Sequence, residues 1–215
     1  MTEPFRYQPA FLVLHGLRCI GVAGEVRLAR AIGLPGEKVT ELLHRLGRRG
    51  LVEHDPGPFG GWSLTSGGRV TEDELTRSEL EESGARDHIE TCYRAFLELN
   101  PIVLRISHDW QIRRVGSTHV RNEHKDQEYD DAVLSSLIRT DQAAQRVCAE
   151  LSARMGRFGV YGRRLSSALE RALAGDTAYV ADNVDSYHTV WFQLHEDLLA
   201  TLGISRDGEG WRAGR

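Results

Sequence analysis

Three stretches in the second half of the chain gather side chains able to bind ligands or move protons. They are Ser107-His108-Asp109-Trp110-Gln111, Asn122 to Asp131, and Asp185 to Asp197. On a helix, His188, Trp191 and His195 stand at i, i+3 and i+7 and share one face, with Tyr187 one turn before Trp191. Aromatic walls with a few placed polar groups suit a small-molecule pocket. The lining expected from the first two stretches is His108, Asp109, Trp110 and His124. From the third it is Tyr187, His188, Trp191, His195 and Glu196.

The same residues admit two other arrangements. His188 and His195, with a carboxylate such as Glu196 or Asp109, could hold a metal ion, because imidazole suits zinc, iron, copper or nickel. Two imidazoles seven residues apart, however, are separated by about 10.5 Å along a helix axis, so a third helix would have to bridge them. The HExxH spacing is absent, since His195-Glu196 is followed by Asp197-Leu198-Leu199. Alternatively these groups are buried and satisfy one another, fixing how helices pack. Acid–base work by His108, Asp109, His124 and Glu196 would make the chain an enzyme. No glycine-rich phosphate loop or GxSxG elbow accompanies them, so neither an enzyme nor a cofactor is expected.

A second kind of chemistry is written nearer the start. From Glu37 to Arg49, Val39, Leu42, Leu43 and Leu46 form one apolar helical stripe. Lys38, Thr40, Glu41, His44, Arg45, Arg48 and Arg49 occupy the rest of the surface. One helix of this kind fits a DNA major groove, where exposed side chains read base edges and bind phosphates.

The elements around it are legible. Ala10 to Ile20 is apolar at helical spacing. Glu25 to Ile32 predicts a short helix with Val26, Ala29 and Ile32 inward, stopped at Gly33. Leu51 to His54 and Gly60 to Thr65 read as two strands joined by the tip Asp55-Pro56-Gly57-Pro58-Phe59, with Phe59 and Trp62 packing the strands together. That tip holds no Lys or Arg. Further on, Glu72 to about Leu99 predicts a charged linker helix. Pro101 suits the first turn of a new one. Arg114 to Lys125 lacks a period and predicts a loop, and helices follow over about 126–155, 158–173 and 178–202.

This order of parts describes a winged helix-turn-helix followed by an all-helical domain, a mainly α chain with a small β wing. The expected division is 1–71 for DNA binding, 72–205 for dimerisation and sensing, and 206–215 as a flexible tail. Residues 10–70 resemble the winged helix-turn-helix of MarR-like transcriptional regulators. The resemblance rests on Leu28-Ala29, Gly33-Leu34, the Val39/Leu42/Leu43/Leu46 helix, Gly50-Leu51-Val52, and Trp62 to Arg69, with its closing Leu-Thr-x-x-Gly. It covers about a third of the chain. It implies a homodimer that binds duplex DNA at a near-palindromic operator, usually as a repressor. The wing without a basic residue departs from that pattern.

The bulk numbers are compatible with this division. The chain has 215 residues and a formal net charge of −4. Residues 1–70 hold nine Lys/Arg against six Asp/Glu, and the remainder 18 against 25, so a mildly basic front precedes an acidic back. No apolar run approaches the roughly 20 residues of a membrane span, so a cytoplasmic protein with no membrane partner is expected. The three cysteines are far apart, and no disulfide framework is expected. Arg18 beside Cys19 would lower that thiol's pKa and suit a redox sensor, whereas Cys92 and Cys148 should be buried. The arginines 157, 163, 164 and 171 read as a solvated face, with Phe158, Tyr161 and Leu165 in the core.

Overall fold

The computed structural model describes residues 8–205. The expected tail, 206–215, lies outside the described residues.

The chain is mainly helical, with two small antiparallel hairpins. The first unit comprises α1 (Pro9–Ile20), α2 (Glu25–Ile32), α3 (Gly36–Arg48), β1 (Val52–Asp55) and β2 (Gly61–Leu64). Pro9 occupies the first turn of α1, where its missing N–H costs nothing. Gly33 ends α2 in the left-handed region at φ 72°, returning its N–H to the Ala29 carbonyl. Val13, Leu14, Leu17, Leu28, Val39, Leu42, Leu43, Leu46, Trp62 and Leu64 share one apolar core. In α2 the inward residues are Leu28, Ala29 and Ala31. Val26, expected inward, is 67% exposed, because the buried stripe of α2 is centred on Leu28. Phe59, expected to pack the strands, is 98% exposed at the tip, and only Trp62 fills that role.

The Leu64-Thr65-x-x-Gly68 stretch has a physical job. Thr65 caps α4 (Ser66–Ser83), accepting from the Gly68 N–H at 3.0 Å and donating its hydroxyl to the Gly50 carbonyl at 2.6 Å. A Cβ on Gly68 would sit 1.9 Å from the Leu51 carbonyl oxygen, so only glycine lets α4 start against the strand. The expected division at residue 71/72 therefore falls inside a helix.

Gly84 ends α4, and α5 (Arg86–Gln111) follows. Pro101 does not open a new helix. It lies inside α5, where Phe96 before it and Val103, Ile106 and Trp110 after it bury in the same core and hold the helix across the missing N–H. The expected loop at 114–125 is in part a hairpin, β3 (Ile112–Val115) and β4 (Thr118–Arg121), turning at Gly116 with φ 61°. The second half is thus not all-helical. α6 (Gln127–Arg154), a 3₁₀ turn at Gly156–Phe158, α7 (Gly159–Leu173), the single turn α8 (Ala178–Ala181) and α9 (Tyr187–Leu202) complete the fold. The expected helix over 178–202 is broken at 182–186, and α9 restarts with Ser186 accepting from the Thr189 N–H. Helices α5, α6, α7 and α9 enclose the larger core, which includes Trp110, Phe158, Leu165, Trp191 and Leu198. No helix among the described residues is long and apolar enough to cross a membrane.

Candidate functional site

Helix α3 buries Val39, Leu42, Leu43 and Leu46 and turns its other face outward. Glu41, His44, Arg45, Arg48 and Arg49 are exposed, and Lys38 and Thr40 half-buried. Four of these seven residues have local work. Lys38 pairs with Glu41 at 2.7 Å, and the Thr40 hydroxyl donates to the Glu25 carboxylate of α2. Lys38 holds the Glu41 carboxyl below its usual range. His44 rests edge-on against Trp62, ring centroids 5.5 Å apart. Among the described residues Arg45, Arg48 and Arg49 make no hydrogen bond or ion pair with the protein, so their charges are available to an external anion.

The first two chemical stretches of the second half meet at the foot of the β3–β4 hairpin. The Trp110 and His124 rings lie 4.6 Å apart. His124 Nδ1 is 3.0 Å from Asp130 Oδ2, and the Asn122 amide donates to Asp130 Oδ1 at 2.7 Å and to the Trp110 carbonyl at 3.1 Å. The Tyr129 hydroxyl donates to the Asp109 carbonyl at 2.8 Å. His108 is exposed beside Asp109, at 3.4 Å. These bonds tie the hairpin to α5 and α6, which is the packing role. Trp110 Nε1 is buried without a partner among the described residues.

The third stretch faces elsewhere. On α9 the Tyr187 hydroxyl donates to Asp141 of α6 at 3.0 Å, and Trp191 Nε1 donates to Asn100 of α5 at 3.0 Å while stacking on Phe96 at 4.4 Å. His195 packs on Phe96 at 5.0 Å and Tyr93 at 6.3 Å. His188 is half-buried, and that burial pushes its pKa down. Glu196 is half-buried on the same helix. The three stretches therefore do not line one common pocket. His188, His195, Glu196 and Asp109 also do not converge as metal ligands. The one set of three candidate donors that converges among the described residues is His15, Cys19 and Asp197.

That set belongs to a buried polar cluster between the two cores. Glu72, Thr76 and Glu79 recur at i, i+4 and i+7 on α4, and all three are buried. His15 Nδ1 lies 2.7 Å from Glu72 Oε1, to which the Thr76 hydroxyl also donates at 2.7 Å. His15 Nε2 is 3.0 Å from Asp197 Oδ1 on α9 and 2.8 Å from Arg157 Nη1. Arg157, expected on a solvated face, is buried. Its Nε donates to both Glu79 oxygens at 3.2 and 2.9 Å, its Nη1 to Asp197, and its Nη2 to the Thr201 hydroxyl at 2.6 Å. The Tyr161 hydroxyl donates to Asp197 Oδ2 at 2.9 Å. Beside the cluster lies a small cleft of about 30 Å³ with largely apolar walls, reached between α1, α2, α7 and α9.

Its electrostatics are those of a compensated charge set. Burial works against an ionised Asp197, but Arg157 and His15 overcome it and hold that carboxyl well below the usual range. Glu72 is likewise lowered, since the His15 and Thr76 hydrogen bonds outweigh burial. Burial and Arg157 push His15 down, yet Cys19 and Asp197 carry it well above its ordinary value. Burial pushes the Cys19 thiol up, the reverse of the expectation from Arg18. In the sequence Cys19 stands out only as a redox thiol and Asp197 only as part of the third stretch; their convergence with His15, Glu72, Glu79 and Arg157 was not foreseen. The members of the cluster come from four distant stretches, and the only local signal is the spacing of 72, 76 and 79, which a solvated charged helix would also show.

No family model, no curated protein and no solved structure matches this chain.

Proposed function

We propose that the protein is a DNA-binding transcriptional regulator of the MarR-like kind, acting as a homodimer and responding to a small effector. The observation that carries this reading is the outward face of α3. Arg45, Arg48 and Arg49 stand together at the C-terminal end of α3, whose opposite face is engaged in the core, and among the described residues none of them makes an ion pair. The small hairpin β1–β2 beside α3 takes the role of a wing. With Asp55 and no Lys or Arg at its tip, it contributes little grip, so α3 bears most of the phosphate binding. The second core supplies the dimerisation and effector part, and ligand binding acts through differential affinity for two arrangements of the paired α3 helices.

Selection of the purified protein on a pool of random duplex DNA at moderate salt tests this. An enriched inverted repeat, its half-sites about one helical turn apart, is the expected result, with enrichment lost in Arg45→Ala. Absence of binding even at low salt would overturn the reading and leave the α3 unit as a protein-docking module.

A further inference from the structure

We propose that His15, Cys19 and Asp197 form a binding site for one divalent transition-metal ion, Zn²⁺ foremost, that ties α1 to α9. The proposal rests on this geometry alone and stands whether or not α3 binds DNA.

His15 and Cys19 are separated by one turn of α1 and present their donors on the same side. Sγ lies 3.7 Å from His15 Nε2. Asp197 approaches from α9, with Oδ1 3.0 Å from the same nitrogen. All three donor atoms lie within 4.8 Å of one another. A tetrahedral zinc with Zn–N near 2.0–2.1 Å, Zn–S about 2.3 Å and Zn–O about 2.0–2.2 Å needs N···S and N···O edges of roughly 3.5 and 3.4 Å. The donors are within a few tenths of an ångström of those edges. Three protein ligands of nitrogen, sulfur and oxygen leave a fourth position for water, and the adjoining cleft, lined by His15, Cys19 and Asp197, can supply it.

The surrounding contacts are those that orient ligands. Glu72 engages His15 Nδ1, which frees Nε2 to bind an ion. Tyr161 donates to Asp197 Oδ2, which leaves Oδ1 for the ion. Arg157 Nη1 currently stands against His15 Nε2 and Asp197 Oδ1. Because the guanidinium is a rigid plane, admitting the ion requires Arg157 to swing as a whole toward the adjoining cleft, which its side chain also lines, and to give up its bonds to Glu79 and Thr201. Two of the carboxylates nearby, Glu72 and Glu79, remain to offset the added charge. On binding, Cys19 gives up its thiol proton and His15 its Nε2 proton to solvent, because both donor atoms coordinate only when deprotonated.

Titration of the full chain with Co²⁺ provides the test, since only thiolate coordination gives an intense near-ultraviolet charge-transfer band. The expected result is a band that saturates at one ion per chain, is bleached by Zn²⁺, disappears in Cys19→Ser, and needs at least tenfold more Co²⁺ in His15→Gln. Cys92→Ala with Cys148→Ala leaves Cys19 as the only thiol, and there the band must persist. Absence of the band in the unaltered protein would overturn the proposal, as would an undiminished band in Cys19→Ser or its loss in the folded double variant.

Discussion

Cys148 illustrates how placement alone decides what a side chain can do. It is buried in α6 against the main core, and burial pushes its thiol pKa up to about 12. The thiolate is the reactive form, so native Cys148 should resist alkylation at pH 8 and react only after unfolding. Mass spectrometry after brief iodoacetamide treatment, with and without denaturant, checks this. Modification of Cys148 in the native protein at the unfolded rate would refute it. His188 is held toward its neutral form by burial, so its folded pKa lies below the unfolded value of 6.5. A lowered histidine gives its full stabilisation above about pH 6.5 and loses it as pH falls through the folded value. His188→Gln should therefore lose less stability than the unaltered protein between pH 7.5 and pH 5.5 in urea titrations. Thr65 and Gly68 act through the backbone. Removing the cap in Thr65→Ala should cost about 0.5–2 kcal/mol. Gly68→Ala should cost about 1–3 kcal/mol or more, because its Cβ meets backbone rather than a movable side chain.

Among the elements, α3 sets the sharpest expectation. If its arginines lie on phosphates, each one removed lowers the slope of log affinity against log salt by about 0.9. Arg48→Ala should show this loss across all duplex sequences, measured by fluorescence anisotropy at several salt concentrations. An unchanged slope would remove Arg48 from the interface. α1 and α3 of the first unit were legible because each combines a clear apolar period with a stop signal, as in Val39/Leu42/Leu43/Leu46 before Gly50. Within α2 the period was ambiguous. Val26, Leu28, Ala29, Ala31 and Ile32 offer two overlapping stripes, and only tertiary packing chose the one containing Leu28. The β3–β4 hairpin was hidden because β4 is exposed along its whole length and shows no alternation. Its one signal was a two-residue Gly116-Ser117 turn between short runs containing Val and Thr. Pro101 misled because helix propensity is local, whereas the packing of Phe96, Val103 and Ile106 carries α5 through it.

At the scale of the whole molecule, two apolar cores meet across a buried charge set beside a largely apolar cleft. Arg157 bonds Glu79 of α4 and Asp197 of α9, and His15 of α1 joins Glu72 and Asp197. Such a set was illegible in the sequence, since charged residues read as solvated until residues 15, 72, 79, 157 and 197 are brought together. A compensated buried set adds little net stability, but removing one member strands the others. Arg157→Met should thus cost about 3–5 kcal/mol by leaving Glu79 without its cation and Asp197 with His15 alone. The loss should fall mainly on the junction, because the hydrogen bonds of Arg157 join α4 to α9 there. Urea unfolding of the unaltered protein should then follow one transition by tryptophan fluorescence and circular dichroism together, while Arg157→Met separates the two probes. Trp62 reports on the first core, and Trp110 and Trp191 on the second. Adding Glu79→Gln and Asp197→Asn to Arg157→Met removes the stranded charges and should recover part of the lost stability. If the triple variant is no more stable than the single one, the cost arises from lost packing of the arginine side chain, and charge compensation is not what joins the two cores.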